Sequence, residues 1–315
     1  MKHILFIDPI DKLVPSKDSS ILIALTLKEQ GHDVFFLFEE DFYITNKSEN
    51  SYKCFNFSGN IEENFYISDF SIDEEFQIKM DDSIIFHMRI DPPYDSRYQR
   101  YLWMQEFLIS YGVKVVNNPI GIMKNNEKIE AYKREMSLSS FVGSSVSAAL
   151  SFIENLKEEG IKNLIFKPLD LYQGIGVQKV SIESDVETIL IKTLEEFNGP
   201  VVIQPFEESI VDGEIRSIFF KSVELGTILK IPKAGEFLAN IAQGAKYERH
   251  DLSPELLKEC EAVCEKLGQD GVDFIAFDIL GGKISEVNVT CPGLLVEVSS
   301  AMEKNLAIEI ANSFN

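Results

Sequence analysis

The stretch FIAFDILGGKISEVNVTCP, residues 274–292, predicts two β-strands joined by a tight turn. The runs FIAFDIL and KISEVNV are rich in β-branched and aromatic residues, and a Gly-Gly pair lies between them. A three-residue turn would pair Leu280 with Ile284. The segment therefore predicts an antiparallel hairpin near the end of the chain.

Each predicted strand of this hairpin carries polar side chains among apolar ones. Asp278 lies in the first strand, and Glu286 and Asn288 lie in the second. Because side chains alternate between the faces of a strand, Glu286 and Asn288 share one face, and the predicted register puts Asp278 opposite Glu286. Three oxygen ligands on adjacent strands suit Mg²⁺, with Mn²⁺ as an alternative. The same alternation is also typical of the solvent-facing side of an ordinary hairpin.

The overall charge limits the classes of partner. The chain of 315 residues has a formal net charge of −21 at pH 7, and 45% of its residues are hydrophobic, as in a folded protein. Because nucleic acid and anionic membrane surfaces would repel such a chain, the charge disfavours both as partners. A nucleotide stays compatible with it where lysine, arginine and metal reverse the field locally.

The cysteines and the N-terminus indicate a cytoplasmic protein. The four cysteines form neither a CxxC pair nor a zinc-binding spacing, which favours reduced thiols in the cytoplasm. The N-terminal run MKHILFIDP reads as a strand followed by a turn and is too short for a signal peptide. No apolar run approaches the length of a transmembrane helix.

The hydrophobic patterns predict three domains in an α/β and α+β protein. Residues 1–118 alternate strands and helices like a Rossmann-like domain, although no GxGxxG turn follows the first strand, which disfavours a dinucleotide. Within it, residues 44–80 are polar and weakly patterned, so we expect short edge strands and loops. Residues 119–200 predict a small α+β unit. Residues 201–315 predict closely spaced strands and a final helix at about 294–313.

Two lysines are candidates for binding phosphate. Lys167 ends an apolar strand, where an ammonium group is costly unless an anion compensates it, and the following loop contains Gly174 and Gly176. Lys128 lies near the start of a capped helix. An ordinary glycine hairpin with a lysine that reaches solvent fits the first pattern equally well. A solvated helix lysine explains Lys128 taken alone.

Three further segments suggest parts of a substrate site. The segment VVIQPFEE, residues 201–208, contains a proline that leaves backbone groups unpaired near Phe206 for a purine edge, and Glu207 suits a ribose hydroxyl; a domain hinge explains the same pattern. Arg216 in an apolar strand indicates an oxyanion or carboxylate partner, or an outward arginine on an edge strand. The Gly- and Ala-rich residues 231–249 are typical of a lid.

Together these segments resemble the prokaryotic glutathione synthetases of the ATP-grasp superfamily. The resemblance is collinear over nearly the whole chain. Its motifs are DPI near the N-terminus, KDSS (17–20), RxDPPxD (89–95), NxP (117–119), NEK (126–128), KPLD (167–170), DGxxR (212–216), IPxxGE (231–236), AxG and DIxG…ExNVTxP (278–292). It implies the ATP-grasp fold with an N-terminal Rossmann-like (pre-ATP-grasp) domain, and ATP held between two antiparallel sheets.

The resemblance also implies a role for each matching residue. Lys128 and Lys167 would contact the ATP phosphates, and Arg216 would face the reacting carboxyl group, so that Arg216 and Lys167 are the expected catalytic residues. The implied metal ligands are Asp278, Glu286 and Asn288. The residues implied to hold the nucleotide are Gln204, Pro205, Phe206, Glu207 and Asp212. The residues implied to hold the acid substrate are Asp18, Ser19, Arg89 and Asn288.

The implied activity is ATP-dependent joining of γ-glutamylcysteine to glycine through an acylphosphate. The expected partners are a small-molecule acid and amine, and a homo-oligomer is compatible with the sequence. Residues 170–174 read DLYQG where the family's phosphate loop reads roughly DGMGG, and Leu238 and Val296 stand where the family has arginines. These departures leave open a ligase of the same fold for another acid and amine, and a nucleotide-binding relative without catalysis.

Overall fold

Three β-sheets organise the protein. The computed structural model describes residues 1–315 apart from the side chain of Gln243, and over that range the strands form sheets of six, four and five strands. No helix in this part of the chain is long and apolar enough to cross a membrane.

The first sheet has the predicted Rossmann-like core. β1 pairs in parallel with β2 and β5, and β5 pairs in parallel with β6, in the order β4-β3-β2-β1-β5-β6. Its strands are β1 (Lys2–Ile7), β2 (Asp33–Leu37), β3 (Ser51–Ile61), β4 (Ile67–Lys79), β5 (Ile84–Arg89) and β6 (Lys114–Val116), and its helices are α1 (Ser19–Glu29), α2 (Ser96–Ile109) and α3 (Pro119–Lys124). The βαβ unit β1-α1-β2 is therefore confirmed.

The prediction of short edge strands and loops over residues 44–80 was wrong. This region forms the long antiparallel hairpin of β3 and β4 at the edge of the first sheet. Most residues of β4 are exposed on this edge strand, so few apolar residues mark its inner face. The strand therefore lacks the apolar alternation on which sequence prediction depends.

The second sheet is small and antiparallel, in the order β7-β10-β8-β9. Helix α4 (Glu127–Tyr132) precedes it in the chain. The remaining elements are β7 (Phe141–Gly143), α5 (Val146–Glu158), β8 (Asn163–Pro168), β9 (Gln178–Ser181), α6 (Val186–Phe197) and β10 (Val201–Pro205). Apolar residues of both helices, such as Ile153 and Leu190, pack with Phe166 into a separate core.

The predicted boundary between residues 200 and 201 separates β10 from the sheet to which it belongs. β10 pairs with β7 and β8, since the apolar run that begins at Val201 completes the centre of the small sheet. At the other end, Ala131 of α4 packs in the core of the third sheet. The backbone N–H of Ile284 donates to the carbonyl of Met136 at 2.8 Å. Residues around α4 therefore pack with the C-terminal sheet rather than with the small one.

The third sheet has five strands in the order β13-β12-β11-β14-β15. It forms one side of the cleft described below. Its elements are β11 (Glu214–Phe220), β12 (Val223–Ile231), β13 (Lys246–Arg249), α7 (Pro254–Gly268), β14 (Phe274–Leu280), β15 (Lys283–Asn288), α8 (Leu295–Met302) and α9 (Ala307–Asn312). The single final helix predicted for about 294–313 is instead the pair α8 and α9. α8 ends at Met302, and the next residue, Glu303, caps it in a left-handed conformation with φ of 53°.

The hairpin of β14 and β15 has a tighter turn than predicted. Leu280 pairs with Lys283 across a two-residue turn, so the predicted pairing of Leu280 with Ile284 was wrong. The register shifts between the pairs Ile279–Ile284 and Asp278–Glu286, so that Ser285 is an extra, bulged residue in β15. The bulge restores the predicted pairing of Asp278 with Glu286.

Candidate active site

A cleft of about 540 Å³ lies between the second and third sheets. Side chains of β8 and β10 line one side, side chains of β11, β12, β14 and β15 line the other, and loops of the first sheet close one end. A volume of this size is typical of a site for a small-molecule ligand.

Lys128 is held at the floor of this cleft. The side chain of Asn126 accepts hydrogen bonds from the first backbone N–H groups of α4 and so caps the helix that presents Lys128. The Nζ atom donates to the carbonyl of Leu171 at 2.8 Å and lies 2.9 Å from Oε1 of Glu286. Burial opposes the charge of Lys128, but Glu286 raises its pKa overall. The lysine therefore stays charged beside the loop that contains Leu171.

Asp278 is the centre of a buried ion-pair network. Its carboxylate lies 2.9 Å from Nζ of Lys230 and 3.1 Å from an Nη atom of Arg216, and it accepts from Nδ2 of Asn288 at 3.0 Å. Burial alone would raise the pKa of Asp278, but the charges of Arg216 and Lys230 hold it at about 2. Glu214 adds a second anionic contact to Lys230 at 2.7 Å.

Lys167 reaches into the same cleft from β8 on the opposite side. Its ammonium lies 5.7 Å from the ring centre of Tyr132. Burial lowers the pKa of Lys167 to about 8, although Glu286 opposes the shift. An anionic ligand here would recover the cost of burying this charge.

The segment predicted to hold adenosine follows β10 along the cleft wall. Nε2 of Gln204 donates to Oγ of Ser140 at 2.8 Å, and Oε1 of Glu207 accepts from Oγ of Ser209 at 3.0 Å. The N–H of Phe206 already donates to the carbonyl of Asn163 at 2.8 Å, so this donor is engaged within the chain. Lys179 lies 3.3 Å from the ring centre of Phe206.

The residues predicted to hold the acid substrate come together at the end of the cleft formed by the first sheet. Asp18 caps α1 by accepting from the N–H of Ser20 at 2.8 Å, and Oγ of Ser19 accepts from the N–H of Leu295 at 3.0 Å. Arg89 donates to Oγ of Ser20 and to the carbonyl of Pro292, both at 2.9 Å. Asp91 lines the same region, and burial raises its pKa to about 6.

Two expectations from the sequence do not fit this geometry. Asp212 is exposed at the end of a short helical turn, and it lies outside the cleft. Val296 is fully buried in an apolar core with Leu295 and Val298 and does not line the cleft. Leu238 does line the cleft, where a Cβ atom built on Gly174 would lie 3.0 Å from its Cδ1 atom.

Three glutamates of the cleft, one buried and two half-buried, were not predicted as site residues. Oε1 of Glu127 accepts from the N–H groups of Val289 and Thr290 at 2.8 and 3.0 Å and so fixes the strand exit after Asn288. The other two are Glu214 and Glu297. In the sequence, only Glu127 could have been identified, from its position beside Lys128 at the start of a helix. No distinctive sequence pattern surrounds Glu214 or Glu297.

The donor set fits a divalent cation and a polyphosphate. Asp278 and Glu286 face each other across the hairpin, and Nδ2 of Asn288 is engaged with Asp278 and Ala276, which leaves its Oδ1 for a cation. No group of three His, Cys, Asp or Glu side chains placed to hold a metal occurs among the side chains described, so the amide of Asn288 would have to complete the set.

Comparison with known families agrees with this geometry. The model for the prokaryotic glutathione synthetase N-terminal domain matches residues 1–122, and the model for the prokaryotic glutathione synthetase ATP-grasp domain matches residues 128–303. The chain belongs to the prokaryotic glutathione synthetase family. As a member of this family, it is an ATP-dependent ligase with an ATP-grasp fold.

Individual relatives match over nearly their whole length. The glutathione synthetase of Parasynechococcus marenigrum (strain WH8102) is 26% identical over 98% of this chain and 96% of its own. That of Shewanella oneidensis is 26% identical over 95% of this chain and 93% of its own. Among solved structures, the D-cycloserine synthetase DcsG has a TM-score of 0.68 at 13% identity over 99% of this chain and 100% of its own. The macrocyclase MdnB from Microcystis aeruginosa MRC has a TM-score of 0.62 at 13% identity over 99% of each chain.

Proposed function

We propose that the chain joins γ-glutamylcysteine to glycine and converts ATP to ADP and phosphate. The observation that carries the proposal is that the family match spans both ends of one cleft. Asp18, Ser19 and Arg89 come from the N-terminal domain, and Lys128, Lys167 and Arg216 come from the ATP-grasp part. A ligase needs its acid and its nucleotide in one such cleft.

The side chains suggest how the reaction is promoted. Lys128 and Lys167 would hold the ATP phosphates, and Arg216 would orient the carboxylate that attacks the terminal phosphate. Asp278, Glu286 and Asn288 would hold Mg²⁺ or Mn²⁺, which supplies positive charge to the phosphate oxygens. The amine would then displace phosphate from the acylphosphate of the acid, and the segment between β12 and β13 would exclude water.

A ligase for another acid and amine is the second candidate. Leu238 is the observation that favours it, because this apolar side chain lies against Gly174 in the cleft, at a position where the family resemblance implies an arginine. An apolar contact at this point would accept a less anionic substrate better than an arginine would.

Use of cytoplasmic ATP and a free thiol substrate fits a cytoplasmic enzyme, and a homo-oligomer stays a prediction.

ADP release with a panel of acid and amine pairs tests these functions. The full chain is incubated with ATP, Mg²⁺ and each pair, and each acid or amine alone serves as the control. Product formation with γ-glutamylcysteine and glycine supports the proposal. Activity with another pair supports the second candidate, and no ADP release with any pair contradicts both.

A further inference from the structure

Glu297 is a buried carboxylate in the wall of the cleft, and one of its oxygens lacks a partner. It lies in the first turn of α8 and is 2% exposed. Considering the side chains that the structure describes, its Oε2 atom has no hydrogen-bond partner. A buried, unpaired carboxylate oxygen is costly, so its presence at a ligand cleft calls for an explanation by a ligand.

The surroundings of Glu297 carry both signs of charge. Burial raises the pKa of Glu297, Lys17 and Arg216 oppose this shift, and Asp18 adds to it. Nε of Arg216 and Nη1 of Arg89 are also buried without a hydrogen-bond partner within the described residues. The same region of the cleft therefore has donor atoms for a carboxylate and an acceptor atom for an ammonium group.

We propose that Glu297 binds the ammonium group of an amino-acid substrate, while the free nitrogens of Arg216 and Arg89 face carboxylate groups. The proposal rests on the proposed function in that it places a zwitterionic substrate in the ligase cleft. A carboxylate–ammonium contact is a charge-assisted hydrogen bond, the type that best offsets burial of both groups. Two groups share this chemistry, namely the α-ammonium of the γ-glutamyl acid and the ammonium of the acceptor amine.

Binding by the full chain tests the site without turnover. The melting temperatures of the wild type and of Glu297→Gln are measured with γ-glutamylcysteine and with natural α-amino acids, each beside its deaminated analogue. Because Gln keeps the shape and removes the charge, Glu297→Gln should bind the ammonium-bearing ligand about 10- to 100-fold more weakly. Its affinity for the deaminated analogue should equal that of the wild type.

The melting temperature of Glu297→Gln without ligand tests for a structural role. If Glu297 stabilised the fold, the substitution would lower this temperature. Removing an unpaired buried charge should leave the melting temperature of Glu297→Gln unchanged or higher. Glu303→Gln is the matched control, because it makes the same charge change at the exposed end of the same helix. It should bind every ligand as the wild type does.

Steady-state kinetics distinguish the two sources of the ammonium group. A rise in KM for γ-glutamylcysteine alone assigns Glu297 to the acid, and a rise in KM for glycine alone assigns it to the acceptor. Equal loss of affinity for ammonium-bearing and deaminated ligands, or no ammonium-dependent binding by the wild type to any ligand tested, would overturn the site. Failure of the wild type to join γ-glutamylcysteine to glycine overturns the proposed function instead, and the binding measurements still decide the role of Glu297.

Discussion

Glu286 and Lys128 form an ion pair in the cleft, with 2.9 Å between Oε1 and Nζ. Asp278, opposite Glu286 in the hairpin, is paired in the same way with Arg216 and Lys230. The carboxylates proposed for the metal are therefore neutralised by cations of the same cleft, among them Lys128, which is proposed for phosphate. A metal ion and a polyphosphate bring opposite charges. On binding, the carboxylates would pair with the metal and the cations with the polyphosphate, so the charge balance of the cleft would be preserved.

Glu286→Gln and Asn288→Ala should abolish ATP turnover while the fold is kept. Both side chains face the cleft, and loss of a metal contact should cost several kcal/mol of transition-state stabilisation, or about 100-fold or more in ADP release. ADP release and thermal unfolding measure the two effects. Glu248→Gln is the control, since Glu248 is exposed on β13 of the same sheet. Full activity of Glu286→Gln would rule out its assignment as a metal ligand.

Gly281→Ala should weaken ATP binding, whereas Gly282→Ala should not. A Cβ atom at Gly281 would lie 2.8 Å from Cδ of Glu207, so the added methyl group must displace the carboxylate proposed for the ribose. A Cβ atom at Gly282 meets no described atom within 4 Å. Both glycines have positive φ, so each alanine variant carries a similar backbone cost of about 1–2 kcal/mol.

The kinetic comparison of the two alanine variants distinguishes the effect of displacing Glu207 from the effect of backbone strain on ATP binding. KM for ATP should rise several-fold in Gly281→Ala alone, and the increase should be smaller with deoxyribose analogues of ATP. Equal KM values for the two variants would mean that Glu207 does not set nucleotide affinity.

The hairpin illustrates what the sequence could predict. The composition of its strands and the Gly-Gly pair were sufficient to predict the hairpin and the pairing of Asp278 with Glu286. The predicted turn was one residue too long, and the bulge at Ser285 compensated for that error. No local preference distinguishes the two arrangements, because a bulge is selected by packing across the sheet.

The glutamates of the cleft show where prediction from sequence ends. Glu297 and Val296 are adjacent on α8, yet one lines the cleft and the other lies in an apolar core. The orientation of α8 decides which of them reaches the cleft, and that orientation depends on its contacts with α1 and with β12 and β13 of the third sheet. Motif comparison alone pointed to Val296, and only tertiary packing identifies Glu297.

ATP affinity should decrease above about pH 8 because of Lys167. Burial lowers the pKa of this lysine to about 8, so the free enzyme loses the charge of Lys167 as the pH rises through that value. The protonated form is the one that attracts phosphate, and kcat/KM for ATP should therefore decrease from pH 7 to pH 9. Lys167→Arg should lose this dependence, since arginine stays charged. An unchanged profile in Lys167→Arg would assign the titration to another group.

Residues 233–247, within the predicted lid of residues 231–249, are expected to become protease-resistant when ATP, Mg²⁺ and the true acid are bound. Lys246 and Tyr247 belong to β13 and pair with β12, so the segment expected to move is 233–245. It is rich in small residues, which offer little apolar area to anchor it. It contacts the loop of residues 170–174, where Leu238 lies against Gly174 and Nδ2 of Asn240 donates to the carbonyl of Gln173 at 3.1 Å.

Ordering this segment costs about 1–2 kcal/mol per residue of backbone entropy, which contacts with ligand must offset. Limited trypsin cleavage after Lys233, with and without ligands, measures the change. Lys221 lies exposed in the turn between β11 and β12, so cleavage there is the internal control and should not respond to ligand. Ligand-dependent protection at Lys233 alone supports closure over the acylphosphate. Identical cleavage at Lys233 in both states would make the segment a fixed loop, and protection of the acylphosphate would then have to come from other walls of the cleft.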